Sequence, residues 1–356
     1  MTAAAPGSGA LLGSDRSLAE MYDVALLDLD GVVYLGSVAV PGAAAALAAA
    51  VEAGIRLGFV TNNAARSPEA VAEVLIGLGV PADPAQIVTS AQTAARVLAA
   101  TLPPDSRVLV VGTEALAEQV RVAGLRPVRD LHDPVAAVVQ GFSPDTGWRD
   151  LAVATRAVRD GAVWIATNAD LTVPSVHGTL PGNGAFVSAV ATSSGARPRV
   201  TGKPEPSMHA ECLERLAATR PVVVGDRLDT DIEGAARVGC PSLLVFTGVT
   251  RPVDLLAAPP EHRPTYLSAD LSGLVSRHPE VVAGPEGWRC AGWQVSAGGG
   301  LSLPATPADP QADASADPWS ALRALCAAAW ARGDPRVGAC DATAERVLAQ
   351  LGLTAA

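Results

Sequence analysis

Asp28 and Asp30 stand two residues apart at the end of an apolar run, Val24-Ala-Leu-Leu-Asp-Leu-Asp30. On a regular strand they point to the same side, about 7 Å apart. Carboxylates that close repel each other, and a bound Mg²⁺ offsets the repulsion. A bare Asp-x-Asp pair is more often a solvated strand end, so the pair needs company. Three further groups supply it. Thr61-Asn62-Asn63 closes a second apolar run, Lys203 precedes a proline, and Gly225-Asp226 closes a third run with Asp231 five residues on. Carboxylates, a hydroxyl, amides and one cation are what phosphoryl transfer requires. Asp226 completes the anionic cage for Mg²⁺, and Asp231 is favoured by a helix dipole in the first turn after it. The Thr61 hydroxyl and the amides behind it can donate to phosphoryl oxygens. Lys203 is a compact cation that neutralises both Asp28 and the phosphoryl group.

Composition sharpens two of these choices. Of the 26 basic residues only Lys203 is a lysine, and there are four asparagines, Asn62, Asn63, Asn168 and Asn183. Where a strong bias is overridden, the chemistry of the residue can be the reason. The net charge of −10, with no block of Lys or Arg, argues against nucleic acid and anionic membranes as partners. An anionic substrate must be drawn by a local site. No apolar run is long enough to span a bilayer. Five dispersed cysteines, Cys212, Cys240, Cys290, Cys326 and Cys340, without a CxxC pair, point to reduced thiols and a cytoplasmic setting.

The elements that must position these residues alternate strand and helix. Strands are expected at 24–30, 56–60, 107–111, 136–139, 163–166, 221–226 and 242–246. Helices are expected at 41–53, 67–78, 90–102, 114–123, 148–159, 206–218 and 230–238. That order predicts an α/β fold with a Rossmann-like parallel sheet, whose strand ends hold the ligand. Residues 1–19 read as a flexible tail. Residues 20–80 and 184–270 read as the core, and 81–183 as an inserted α/β domain. The end of the chain differs: segments 288–295 and 301–303 flank a Gly-rich turn as in a hairpin. Pro/Ala/Asp-rich residues 304–316 read as a mobile loop, and helices follow at 319–332 and 342–351. A small third domain of α+β type is expected at 280–356, with Trp288, Trp293, Trp319 and Trp330 in its core.

At these residues the chain resembles the haloacid dehalogenase superfamily of phosphatases. Asp28-Leu-Asp-Gly-Val32 looks like its first motif, Thr61-Asn62-Asn63 its second, Lys203 its third, and Gly225-Asp226 with Thr230-Asp231 its fourth. The insert at 81–183 matches the place of an α/β cap. Ala166-Thr-Asn-Ala-Asp170 and Pro181-Gly-Asn-Gly184 resemble the NagD-like, phosphoglycolate-type subclass. The resemblance implies Asp28 as nucleophile forming an aspartyl-phosphate, and Asp30 as general acid and base. It implies Mg²⁺ on Asp28, the Asp30 carbonyl and Asp226, with Asp231 in support. Gly31, Thr61, Asn62, Asn63 and Lys203 would bind the substrate. For Asn62, Asn63 and Arg66, ordering of the site and contact with the cap both stay open. Asn168, Asp170 and His177 are cap candidates, His177 more a structural one.

A phosphatase followed by a small module also resembles the actinobacterial glycerol 3-phosphate phosphatases, whose tail is acetyltransferase-like (GNAT-like). Glycerol 3-phosphate is therefore the expected substrate, with phosphoglycolate, a sugar phosphate or a nucleotide as alternatives. The tail lacks the Arg/Gln-x-x-Gly-x-Gly/Ala cradle for coenzyme A, so packing, homodimer formation or regulation is expected of it, not acyl transfer. The alternative of another class is coenzyme A binding there.

Overall fold

The computed structural model describes residues 10–175, 178–302 and 317–353. The chain forms two compact units, one of Met1–Leu35, Ala39–Leu57 and Thr219–Ala356, the other of Gly36–Val38 and Gly58–Ala218.

The first unit is built on parallel strands in the order Tyr266–Ser268, Ser242–Val245, Pro221–Gly225 and Val24–Leu27. Val24–Leu27 is buried along its whole length, as a parallel strand covered on both faces must be. Leu27 pairs with Val224, and the Asp28 amide adds one more bond, to the Val224 carbonyl at 2.9 Å. Asp28 and Asp226 thus both leave the sheet at the same strand ends. The helix expected at 230–238 begins differently. Leu228–Ile232 is a single π turn, with the amides of Asp231 and Ile232 both donating to the Arg227 carbonyl, and only Glu233–Arg237 is α-helical.

The C-terminal segment is a sheet in the order Val282–Gly284, Gly287–Cys290, Trp293–Val295, Gly300–Ser302, Gly338–Ala339, with helices Pro318–Arg332 and Ala342–Gln350. The expected hairpin is present as the antiparallel pair Val295 with Leu301. The segment expected as a small α+β domain at 280–356 has that sheet-and-helix build, and it shares its apolar face with the parallel-sheet layer. Leu244, Leu255, Leu256 and Leu267 of the parallel-sheet layer join Trp293, Leu301, Leu322 and Leu325 in one hydrophobic cluster. Residues 320–326 are buried on every side of their helix, which requires cover on both flanks. Trp293 is fully buried, and Trp288, Trp319 and Trp330 pack against the cluster more openly.

The flexible-tail expectation for 1–19 is corrected where residues are described. Leu11 belongs to that same cluster, the Leu12 amide donates to the Thr265 carbonyl at 2.9 Å, and Ser14 forms a bridge with His278. Residues 1–9, the expected loop at 304–316 and His177 lie outside the described residues.

In the second unit the end of strand Arg56–Thr61 pairs in parallel with Ile87–Thr89, Thr61 facing Thr89. A second parallel sheet runs in the order Arg199–Val200, Val163–Ala166, Ala137–Gln140, Arg107–Val111, Arg126–Val128. The three strands expected in the insert are its centre, and two short strands add its edges. Helices Ser90–Ala99 and Glu114–Val122 cover one face, Trp148–Arg159 and Asn183–Ser194 the other. The units therefore part the chain elsewhere than at the expected core and cap limits. Buried Glu211 is one reason. From the helix Ser207–Arg215 it accepts from Thr93 at 2.8 Å, Arg96 at 2.9 Å and Arg215, and Arg215 donates to the Ile87 carbonyl at 3.0 Å.

Candidate active site

In the first unit Asp28, Asp226 and Asp231 each offer a carboxylate oxygen, and the three oxygens lie within 4.8 Å of one another. Asp28 is 9% exposed, Asp226 0% and Asp231 1%. Each acid is set by its local backbone. Asp226 follows its buried strand directly, and its Oδ2 accepts from the Val249 amide at 2.6 Å. Gly31 and Gly248 flank the same carboxylate: a Cβ built on either would stand 2.6 Å and 2.0 Å from Asp226 Oδ2. Gly31 also has φ +91°, a conformation that suits glycine. Thr247 ties the two loops by donating its hydroxyl to the Gly31 carbonyl at 2.5 Å. Asp231 is turned back by the π turn, and its Oδ2 accepts from the Arg227 amide at 3.1 Å.

An oxygen-only set of three carboxylates, this buried and this close, suits a hard divalent cation such as Mg²⁺. Asp30 is half-buried and its carboxylate is not part of the trio; its backbone is held by a bridge to Tyr34. The role expected of it in metal binding rests on its carbonyl.

The second unit assembles the other group. Thr61 is buried at the end of its strand, and its hydroxyl oxygen accepts from the Asn63 amide at 3.1 Å. Asn63 Oδ1 accepts from the Ala65 amide at 2.8 Å, an Asx-type turn. Ser90 donates its hydroxyl to the Asn62 carbonyl at 2.7 Å. Arg66 is exposed. Lys203 is 4% exposed, in the turn before the helix Ser207–Arg215, and its Nζ donates to the Val60 carbonyl at 3.0 Å. Its amide donates to Asn62 Oδ1 at 2.8 Å. Asn168 is buried and donates to the Asn62 carbonyl at 2.8 Å, while Asp170 accepts from Asn62 Nδ2 at 3.2 and 3.3 Å.

Sequence reasoning missed several contributors. His209 is buried behind this group; burial first, and the Lys203 charge second, push its pKa down to about 3, so it is neutral. Asn183, noted for its rarity and within Pro181-Gly-Asn-Gly184 but given no role, is buried and donates to the Asn168 carbonyl at 2.8 Å. Gly248 and Thr247 carry no local signal at all, since only the fold brings them to Asp226. A groove of about 580 Å³ between helices Trp148–Arg159 and Asn183–Ser194 contains none of these residues.

Profiles of two related families match the chain, "haloacid dehalogenase-like hydrolase" over residues 25–126 and "HAD-hydrolase-like" over 200–274. The D-glycerol 3-phosphate phosphatase of Mycobacterium tuberculosis is 46% identical over 316 residues, which is 88% of each chain. The chain belongs to the haloacid dehalogenase-like hydrolase family. An acid sugar phosphatase of Staphylococcus aureus is 37% identical to this hydrolase over 72% of its length and 98% of the relative's. The crystal structure of the M. tuberculosis glycerol phosphate phosphatase in complex with magnesium superposes with a TM-score of 0.85 at 43% identity, covering 95% of this hydrolase and all of that chain. The p-nitrophenyl phosphatase of Archaeoglobus fulgidus gives a TM-score of 0.66 at 30% identity, over 71% of this hydrolase and 98% of that chain. A third profile, of a GCN5-related N-acetyltransferase-like domain, matches residues 290–353 of the hydrolase.

Proposed function

We propose that this hydrolase is a Mg²⁺-dependent phosphomonoester phosphatase that acts on glycerol 3-phosphate and releases glycerol and phosphate. The observation that carries the chemistry is the buried trio of Asp28, Asp226 and Asp231. The choice of substrate is supported by the likeness to the mycobacterial D-glycerol 3-phosphate phosphatase, which runs through the C-terminal segment as well. The acid sugar phosphatase relative keeps sugar phosphates as the second candidate.

In this reading an Asp28 carboxylate oxygen attacks phosphorus and the ester oxygen leaves, giving an aspartyl-phosphate. Asp30 protonates the departing glycerol oxygen and then takes a proton from the water that attacks the acyl phosphate, returning Asp28. Lys203, the Thr61 hydroxyl and the amides after it hold the phosphoryl oxygens, whose charge they stabilise. Asp28, the Asp30 carbonyl, Asp226 and Asp231 would hold Mg²⁺, which supplies further charge neutralisation at those oxygens when bound. Residues 81–183, with Asn168 and Asp170, are the proposed source of substrate choice.

The C-terminal segment is proposed to be non-catalytic. Asp317 caps the helix Pro318–Arg332, its carboxylate accepting from the amides of Trp319 at 3.2 Å and Ser320 at 2.9 Å. A helix N-terminus is where a pyrophosphate would otherwise be bound. A cytoplasmic setting is supported by five free cysteines. No helix among the described residues is long and apolar enough to cross a membrane.

The test is phosphate release with Mg²⁺ from glycerol 3-phosphate, phosphoglycolate, sugar phosphates and nucleoside monophosphates. Glycerol 3-phosphate is expected to give the highest kcat/KM; a clear preference for another ester replaces it. Asp28→Asn is expected to lower kcat by at least about a thousandfold, the scale of losing a nucleophile, with the melting temperature kept. Retained turnover in that variant removes the mechanism.

A further inference from the structure

The side chain of Asn62 is engaged on every side by this protein itself. Its Oδ1 accepts the Lys203 amide at 2.8 Å. Its Nδ2 donates to the Lys203 carbonyl at 3.4 Å and to both carboxylate oxygens of Asp170 at 3.2 and 3.3 Å. A primary amide has two N–H donors and one carbonyl oxygen. Both halves of this one are turned toward Lys203, and the donor half also toward Asp170. Only an amide can do this: a carboxylate could not donate to Asp170, and a hydroxyl could not span both peptide groups of Lys203. This is a chemical reason for an asparagine in a chain that has only four.

We propose that the Asn62 side chain is a positioning group that sets the place of Lys203 and of the Asp170 carboxylate together, and does not itself bind the substrate. The Lys203 ammonium rests on the Val60 carbonyl at 3.0 Å, two residues before Asn62. The backbone and the tip of Lys203 are therefore both referred to one short segment, residues 60–62. Asp170 is oriented from its other side as well, its amide donating to Asn168 Oδ1 at 3.2 Å. Asn168 in turn donates to the Asn62 carbonyl at 2.8 Å, which closes the ring. The cation that would hold the phosphoryl group and the loop that would meet the leaving group are thereby coupled. The inference rests on the phosphatase reading for what the coupling achieves.

The experiment is a donor–acceptor swap in the full-length protein with Mg²⁺ and glycerol 3-phosphate. Asn62→Asp places a carboxylate against Asp170 and is expected to lower kcat by about ten- to a hundredfold, the scale of a misplaced catalytic group, with KM little changed. Asp170→Asn keeps an acceptor for Asn62 and is expected to lose only severalfold. The double variant N62D/D170N restores one donor and one acceptor to the pair, and its kcat is expected to recover at least about tenfold over N62D, as coupled neighbours should. A swap no better than N62D overturns the proposal. So does an N62D variant that raises KM at unchanged kcat, which would make Asn62 a substrate ligand. Recovery of the melting temperature without recovery of kcat also overturns it, because a role confined to the fold would look like that. A wild-type chain that hydrolysed no phosphomonoester would end the reading of function instead. The Asn62–Asp170 pairing would then still stand or fall on whether the swap restores the melting temperature that N62D loses.

Discussion

Gly31 and Gly248 hold the Asp226 carboxylate between them, and at Gly248 an added methyl would stand 2.0 Å from Oδ2. Gly248→Ala is therefore expected to push Asp226 out of line without touching any reacting group. A loss of about ten- to a hundredfold in apparent Mg²⁺ affinity is the usual scale for disturbing the support of a metal ligand. A Mg²⁺ titration of phosphate release checks it; an unchanged half-saturation point would show that the close approach is relaxed elsewhere. Two buried histidines give the residue scale a pH signature. His209 is pushed down to about 3 and His278 to about 4, burial being the leading cause for each. His278 is held neutral between the Gly273 carbonyl, 2.8 Å from its Nε2, and Arg323, whose Nη2 donates to Nδ1 at 2.8 Å. The unfolded chain takes up these protons near the ordinary value of about 6.5, the folded chain only far below it. Stability from both groups is therefore full above that value and is lost as pH falls toward 4 and 3. The melting temperature is expected to drop across that window, and His209→Gln to flatten the drop. An equal slope in wild type and variant would count against a buried neutral His209.

Among the elements, the long helices were legible because their ends are marked in the chain. Ser67 caps the helix Pro68–Gly77 through its hydroxyl, and Thr89 pairs with Gln92 in a capping box before Ala91 and Ala94 enter the core. Three-residue strands such as Ile87–Thr89 and Tyr266–Ser268 are too short to show a period, and were missed. The π turn at Leu228–Ile232 was read as the start of an ordinary helix, since its residues differ from a normal first turn only in which carbonyl their amides reach. Asp28 and Asp226 were visible because each follows an apolar run, and Asp231 because it lies in the turn just after one. The glycines and the threonine that shape Asp226 were not, because their meaning is tertiary. At this scale the C-terminal hairpin makes a specific claim. Trp293 is 1% exposed and sits in the cluster shared with Leu255 and Leu267. Trp293→Ala is expected to cost about 3–5 kcal/mol in urea unfolding, and a loss below about 1 kcal/mol would mean the hairpin packs on its own.

For the whole molecule, the shared cluster explains why the segment from 280 onward falls in one compact unit with the parallel-sheet layer. A boundary read from composition marks where the chain changes character, whereas a core forms wherever apolar faces meet. The overall charge of −10 leaves attraction of a phosphate ester to local cations, and in the proposed reading the chain's only lysine, Lys203, is the one set aside for it. The amides are just as concentrated. Asn183 donates to Asn168, Asn168 to Asn62, and Asn63 is the next residue. Asparagine is among the side chains that heat damages first. In most proteins such damage is scattered over the surface, but here three of the four asparagines form this network and the fourth, Asn63, adjoins it. Ageing should therefore silence the enzyme before it unfolds it. Asn183-Gly184 is the pair whose small second residue least hinders the reaction, yet Asn183 is buried and the Gly184 amide is engaged with the Asp170 carbonyl at 2.8 Å. After prolonged warming below the melting temperature, peptide mapping should find Asn183 intact in the folded protein and converted in the unfolded one, so that its state records each molecule's history of opening.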